Sequence, residues 1–279
     1  MTIVTSAFAN AQSDTCSHVL DEYTQIDTDL RIAITQCDNK PPKAIALFIT
    51  GWAAHLDGVG DLFVDTAKAF AHMGIVSLRT DIRGESEQEK SNYTLTSTYA
   101  SRVHDAQIAL GHLKKQFPSL PVIVLGHSLG GTTALSLAAN DENRIDNLVL
   151  WSYAGNPDSL FPRMLSEQQH REVMTQGSVT LNTWANLIIT KEHYLGMNAA
   201  DIYPPLRCFT GKLLYLVGSD EPQIYEESRL YDNLVNAERV EKVLVVGADH
   251  IYNVFDSSKT HSQRVIQITR DWLKDTVLE

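Results

Sequence analysis

Pro121-Val122-Ile123-Val124-Leu125-Gly126-His127-Ser128-Leu129-Gly130-Gly131-Thr132-Thr133-Ala134-Leu135 is the stretch on which the reading of this chain turns. It opens as the β-branched apolar run of a buried strand. It breaks at Gly126-His127-Ser128-Leu129-Gly130 and resumes as a small-residue helix rich in Ala and Leu. Gly-x-Ser-x-Gly between a strand and a helix is the pattern of a nucleophile elbow. The turn is so tight that its middle residue is strained, and the flanking glycines keep side chains out of its way. Ser128 is expected to project alone at the carboxyl edge of a sheet. Leu129 would open the helix with a free backbone N–H where an oxyanion could sit. Glycine makes up about 7% of residues, so the bare pattern arises by chance in roughly one chain in ten of this length. The elbow therefore needs partners before it means chemistry.

Upstream, residues 43–50 form a continuous apolar run, as expected of a central strand buried on both faces. Leu62, Phe63, Ala67, Phe70 and Ala71 make a helical stripe over residues 60–73, and residues 74–78 are the next strand. A long helix is expected over 96–116. Residues 18–36 alternate around an Asp27-Thr28-Asp29 turn, which reads as an antiparallel hairpin at a sheet edge. Downstream, residues 147–151, 212–217 and 242–246 read as strands, with helices over 224–236 and 261–275. Residues 154–208 break the rhythm with short amphipathic pieces. The fold class is α/β: a mainly parallel sheet with helices on both faces, interrupted by a mostly helical cap. The parts are an N-terminal tail 1–17, a core of 18–153 and 209–279, and a cap of 154–208.

Hydrophobic residues are 43% and charged residues 20% of the 279, an ordinary globular balance. A net charge of −11 argues against nucleic acid and anionic membrane surfaces as partners. No apolar run reaches spanning length, so no membrane span is expected. Cys16, Cys37 and Cys208 are few and widely spaced, so neither a disulfide framework nor a zinc motif emerges. Ordinary thiols in a reducing, cytoplasmic compartment are expected. The first 12 residues carry Ala9-Asn10-Ala11 but no basic start, and read as a tail. With no His-Glu-x-x-His, no Gly-x-Gly-x-x-Gly and no phosphate loop, no metal and no cofactor are expected.

An elbow serine is inert without a base and a group to orient that base. On an open α/β sheet the order is Ser, then Asp or Glu, then His, each just past a strand end. Asp220 follows the strand ending at Val217 and is the expected carboxylate; Glu221 and Asp158 are weaker alternatives. A lone Asp after a strand is ordinarily a turn or cap residue, and only its place in the order raises Asp220 above that reading. His250 follows the next strand and is the expected base. Most of the 10 histidines should be surface or packing residues, and His127 reads as packing.

On Gly126–Gly130, Gly218-Ser219-Asp220 and Gly247-Ala248-Asp249-His250, the chain resembles an α/β-hydrolase. The kind is that of monoacylglycerol lipases, feruloyl-type esterases and serine aminopeptidases. The likeness covers roughly residues 40–155 and 208–275. It implies an oxyanion hole from the backbone N–H groups of Trp52 and Leu129. Where that family often reads His-Gly-x, this chain has Thr50-Gly51-Trp52. Asp81-Ile82-Arg83-Gly84-Glu85-Ser86-Glu87-Gln88 matches the first half of the family's Asp-x-Arg-Gly-x-Gly-x-Ser and then departs. Arg83 is expected to tie loops together. The cap's Phe161, Met164, Leu165, Trp184, Ile188, Tyr194 and Met197 suit an acyl or aromatic group on a small-molecule substrate, although most should form the cap's own core. Glu167, Glu172 and Glu192 keep an aminopeptidase, which must bind a free amine, open. The expectation is ester hydrolysis through an acyl-enzyme on Ser128. Thioester, amide or peptide, and C–C bond hydrolysis remain alternatives on the same triad. A binding module that had kept only the fold would be expected to lack a triad member, and none is missing.

Overall fold

The computed structural model describes residues 16–85, 87–89, 92–198, 201–221 and 226–278. The tail expected over 1–17 lies mostly outside them, as does Ser86. The elements run β1 (Val19–Ile26), β2 (Leu30–Cys37), β3 (Ala44–Ile49), α1 (Leu62–Ala71), β4 (Ile75–Thr80), β5 (Glu87–Glu89), β6 (Asn92–Leu95) and α2 (Tyr99–Gln116). The elbow pair β7 (Val122–His127) and α3 (Leu129–Ala138) comes next, then β8 (Asn147–Trp151), α4 (Leu160–Met164) and α5 (Glu167–Gln176). The chain continues through β9 (Ser178–Asn182), β10 (Asn186–Thr190), α6 (Lys191–Gly196), β11 (Lys212–Gly218), α7 (Glu227–Asn233), β12 (Arg239–Val245) and α8 (Thr260–Leu273).

The main sheet has eight strands in the order β1-β2-β4-β3-β7-β8-β11-β12. From β4 onward every neighbour is parallel, and the antiparallel β1–β2 hairpin closes one edge. The reason is in the residues. β3 and β7 are buried at every position, as continuous apolar strands covered on both faces must be. The antiparallel β1 is half-buried or exposed at every position, as an edge strand should be. One core lies beneath α2, α3 and the cap, built on Leu47, Val124 and Leu150. The other lies beneath α1 and α8, where Phe48 meets Phe63 and Phe70 edge-on at 5.3 Å each. Aromatic pairs in that geometry add about 0.5–1.5 kcal/mol beyond their buried area.

Two expectations need amending. The cap's helices α4, α5 and α6 are most but not all of its structure: β9 and β10 form an antiparallel hairpin, and β10 pairs in parallel with β6, giving a second sheet in the order β5-β6-β10-β9. Leu187 and Ile189 alternate with half-buried Ile188, and that period of two was hidden among short apolar pieces. The cap thus borrows two strands from residues 87–95, far upstream of the insertion. Nor are all the cysteines independent thiols. Cys16 and Cys37 form a disulfide across the start of the β1–β2 hairpin, while Cys208 is free. A separation of 21 residues gave no hint of it, because pairing depends on the hairpin register that sets Val19 opposite Cys37.

Candidate active site

The elbow is built by close backbone approach. Gly126 and Gly130 face each other so tightly that a Cβ on Gly126 would sit 2.3 Å from the Gly130 carbonyl oxygen. One on Gly130 would sit 2.0 Å from that of Ile49, so no side chain fits at either position. Between them Ser128 is held at φ 55°, ψ −124°. A non-glycine residue there costs on the order of 1–3 kcal/mol, which the flanking strand and helix must offset. They do so through bonds on both sides of the serine: its N–H donates to Trp151 O (2.9 Å), and its carbonyl accepts from the Gly131 N–H (2.9 Å).

Ser128 Oγ lies 2.9 Å from His250 Nε2, and His250 Nδ1 lies 2.7 Å from a carboxylate oxygen, Oε2 of Glu221. Strand-end placement of Ser128 and His250 is therefore as expected, but the carboxylate is not Asp220. The Asp220 N–H is tied to Ala248 O at 3.0 Å and its exposed side chain accepts from Ser219 Oγ at 2.7 Å. Glu221, one residue on and one methylene longer, turns back under the strand end. There its Oε1 accepts the Gly218 N–H and the Ser152 hydroxyl, both at 2.7 Å. Asp158 is exposed and occupied by Asn156 Nδ2 at 2.7 Å. Ser152 has φ 45° at the end of β8, another strained strand end, and sequence gave no signal for its contact.

The Glu221 side chain is 2% exposed, whereas that of His250 is 43% exposed. An imidazole with one nitrogen on a buried carboxylate and the other on a hydroxyl is set to take that hydroxyl's proton. The loop that carries His250 is held by Asp249, whose Oδ1 accepts the N–H groups of Ile251 (3.0 Å) and Asn253 (2.7 Å). His127 sits under the base, ring centroids 5.3 Å apart, with its Nε2 2.9 Å from the His250 carbonyl oxygen. Burial, with the neighbouring His250, pulls His127 down to about 4. It stays neutral and donates to that carbonyl, a packing and orienting role.

The Gly51–Trp52 turn lies against the elbow: a Cβ on Gly51 would stand 3.3 Å from Ser128 Cβ. Leu129 begins α3, so its N–H has no partner within the helix. Arg83 ties loops as expected, with Nε on Asp105 (2.8 Å) and Nη1 on Asp27 (3.0 Å) and Thr28 O (2.9 Å). The Trp52 indole meets Phe161 edge-on at 6.0 Å and Trp184 at 5.9 Å, both from the cap. Trp184 itself is 60% exposed. Of the three cap glutamates, the Glu167 side chain is 95% exposed, Glu192 is also exposed and Glu172 is half-buried.

The model of the family described as Serine aminopeptidase, S33, matches residues 40–198. A monoglyceride lipase homolog of monkeypox virus is 27% identical over 125 residues, 44% of this chain and 42% of the relative. The match thus spans less than half the length of that curated relative. Among solved structures, Est1E from Butyrivibrio proteoclasticus superposes with a TM-score of 0.71 at 17% identity, covering 93% of this chain and 99% of that one. A thermostable carboxyl esterase from Bacillus coagulans superposes with a TM-score of 0.62 at 14% identity, covering 91% and 98%. These superpositions carry the α/β-hydrolase fold.

Proposed function

Because the chain belongs to the serine aminopeptidase family of α/β-hydrolases, we propose that it hydrolyses carboxylic esters through an acyl-enzyme on Ser128. The observation that carries the proposal is the line Ser128 Oγ–His250 Nε2–Glu221 Oε2, with links of 2.9 and 2.7 Å. In this reading His250 takes the Ser128 proton as Oγ attacks the ester carbonyl. Glu221 holds Nδ1–H and stabilises the imidazolium that forms. The N–H groups of Trp52 and Leu129 receive the developing oxyanion. His250 then gives its proton to the departing alkoxide, and water repeats the sequence to release the acid. No cofactor or metal enters any step.

Trp52, Phe161 and Trp184 support an aromatic or apolar group beside the scissile bond, as does the report of Est1E with ferulic acid bound. The exposure of Glu167 and Glu192 favours an ester over a peptide with a free amine, which would need carboxylates gathered at its amino end. Among the described residues no helix is long and apolar enough to cross a membrane. The Cys16–Cys37 bridge speaks for an oxidising compartment rather than the cytoplasmic one suggested by cysteine count.

The test is a panel of p-nitrophenyl esters, acyl-thioesters and aminoacyl anilides, run on the parent and on Ser128→Ala. Ester turnover should lead the panel, highest for aryl or medium acyl groups, and vanish in Ser128→Ala. Faster anilide or thioester turnover would replace the ester assignment. Turnover that survives Ser128→Ala would remove the mechanism.

A further inference from the structure

We infer that the buried Glu85–Arg102 ion pair, extended through Ser97 to His193, positions the Gly51–Trp52 turn for oxyanion binding and ties it to the cap. The inference rests on the reading of Ser128 as nucleophile and of the Trp52 N–H as a donor to the oxyanion.

A backbone N–H can stabilise an oxyanion only if its peptide plane is held still, because the donor must already point where charge will develop. Here both sides of the turn are gripped by one ion pair. Arg102 Nη2 donates to the carbonyl of Thr50 at 2.8 Å, just before the turn. Glu85 Oε2 accepts the N–H of Ala53 at 3.1 Å, just after it. Arg102 Nη1 donates to the same Glu85 oxygen, so the two grips are one unit. Ala53 stands at φ 48°, a strained conformation for a non-glycine residue, and the Glu85 contact holds it there, next to Trp52.

From Glu85 the network runs into the cap. Its Oε1 accepts the Ser97 hydroxyl at 2.5 Å. His193 Nδ1 lies 2.6 Å from the Ser97 carbonyl, so the proton sits on Nδ1. Nε2 is then the acceptor for the Trp52 indole N–H at 2.8 Å. The His193 ring also lies nearly parallel to the indole, 12° apart in plane. Burial lowers the His193 pKa, which keeps the ring neutral and the acceptor available. Burial alone would raise the Glu85 pKa, but the charge of Arg102 and its hydrogen bond bring it below its usual value.

Thus Trp52 offers its backbone to the reaction and its side chain to α6 of the cap. The side chains of Glu85 and Arg102 are 1% and 0% exposed. A pair buried so completely gains little stability over apolar residues of the same volume, so stability alone is a weak reason for it. The geometry of the turn is a better one. Glu85 and Arg102 are positioning residues in this account, since neither reaches the reacting atoms.

The experiment measures kcat, KM and inhibition by a trifluoromethyl ketone, which forms an oxyanion adduct with the serine. The full-length variants are Glu85→Gln, Arg102→Lys and Ser128→Ala. Active sites are counted with a fluorophosphonate, so unfolded protein drops out of kcat. For the first two, kcat per site should fall about 10–100-fold with KM within about threefold, and inhibitor affinity should fall in step with kcat/KM. If both keep kcat within twofold of the parent while Ser128→Ala is inactive, this inference fails and the function stands. If Ser128→Ala is active, the function itself fails. Should the two variants not fold, His193→Gln takes their place. A kcat loss of about 3–10-fold supports the positioning role, and a parent-like kcat overturns it.

Discussion

Glu221 and Glu85 are two buried carboxylates given matching sets of partners. Each accepts a backbone N–H (Gly218 for one, Ala53 for the other), a serine hydroxyl (Ser152, Ser97) and a nitrogen side chain (His250, Arg102). They differ in that last partner. Arg102 is permanently charged and sealed from water, so the Glu85 cradle can only hold shape. His250 is 43% exposed and, in the proposed mechanism, takes and returns a proton, so the Glu221 cradle faces a charge that comes and goes. One arrangement serves architecture or chemistry according to whether its cation can lose its charge and whether its far side is open.

The contrast breaks most sharply at the open cradle. Glu221→Gln keeps the shape but offers an amide to His250. It should lower kcat about 10³–10⁴-fold, while Asp220→Asn should stay within about threefold of the parent in the same ester assay. A large loss in Asp220→Asn with Glu221→Gln near the parent would return the acid role to Asp220. Ser152→Ala removes one donor from Glu221 and leaves its other two. A hydrogen bond to a charged group nets about 1.5 kcal/mol, so kcat should fall about tenfold, which steady-state kinetics will read. An unchanged kcat would make Ser152 a packing residue only.

His127, sealed beneath the base, sharpens the contrast through pH. The unfolded chain protonates this histidine near its ordinary 6.5, and the folded chain only near about 4. Between those values the unfolded state binds more protons, so stability is full above 6.5 and drains away as pH falls toward 4. The loss is on the order of 3 kcal/mol for this group, and His193 acts in the same direction. Urea unfolding at pH 7 and pH 4.5 should show it, with a shallower slope in His127→Gln. The smallest effect on activity belongs to Cys16–Cys37, at the sheet edge farthest in strand order from β11 and β12. Closing a loop of that length is worth about 3 kcal/mol. Reduction should lower Tm by a few degrees and leave kcat unchanged.

The parts legible in the sequence are those set by local pattern. The buried runs of β3 and β7 and the stripe of α1 follow from period and burial, and Ser128 and His250 from placement after strand ends. What escaped notice depends on how chains meet. Asp220 and Glu221 are adjacent and chemically alike, and which of them turns inward depends on tertiary partners: Ala248 O for the Asp220 N–H, and Gly218 N–H, Ser152 and His250 for the Glu221 carboxylate. The sheet of the cap unites residues 92–95 with 186–189, and no local signal links segments that distant. Glu85 lies in the half of its motif that departs from the family pattern. No local signal links it to Arg102, which meets it and holds the Thr50 carbonyl in the fold.

The acyl-enzyme is the centre of the account, and it can be seen directly. The full-length protein is mixed with a p-nitrophenyl ester, quenched in acid during turnover, and analysed by intact-mass and peptide mass spectrometry. The account predicts a mass increase equal to the acyl group, carried by the peptide containing Ser128, absent in Ser128→Ala and sharply reduced in His250→Ala. Ester turnover with no adduct, or an adduct that persists in Ser128→Ala, would contradict it.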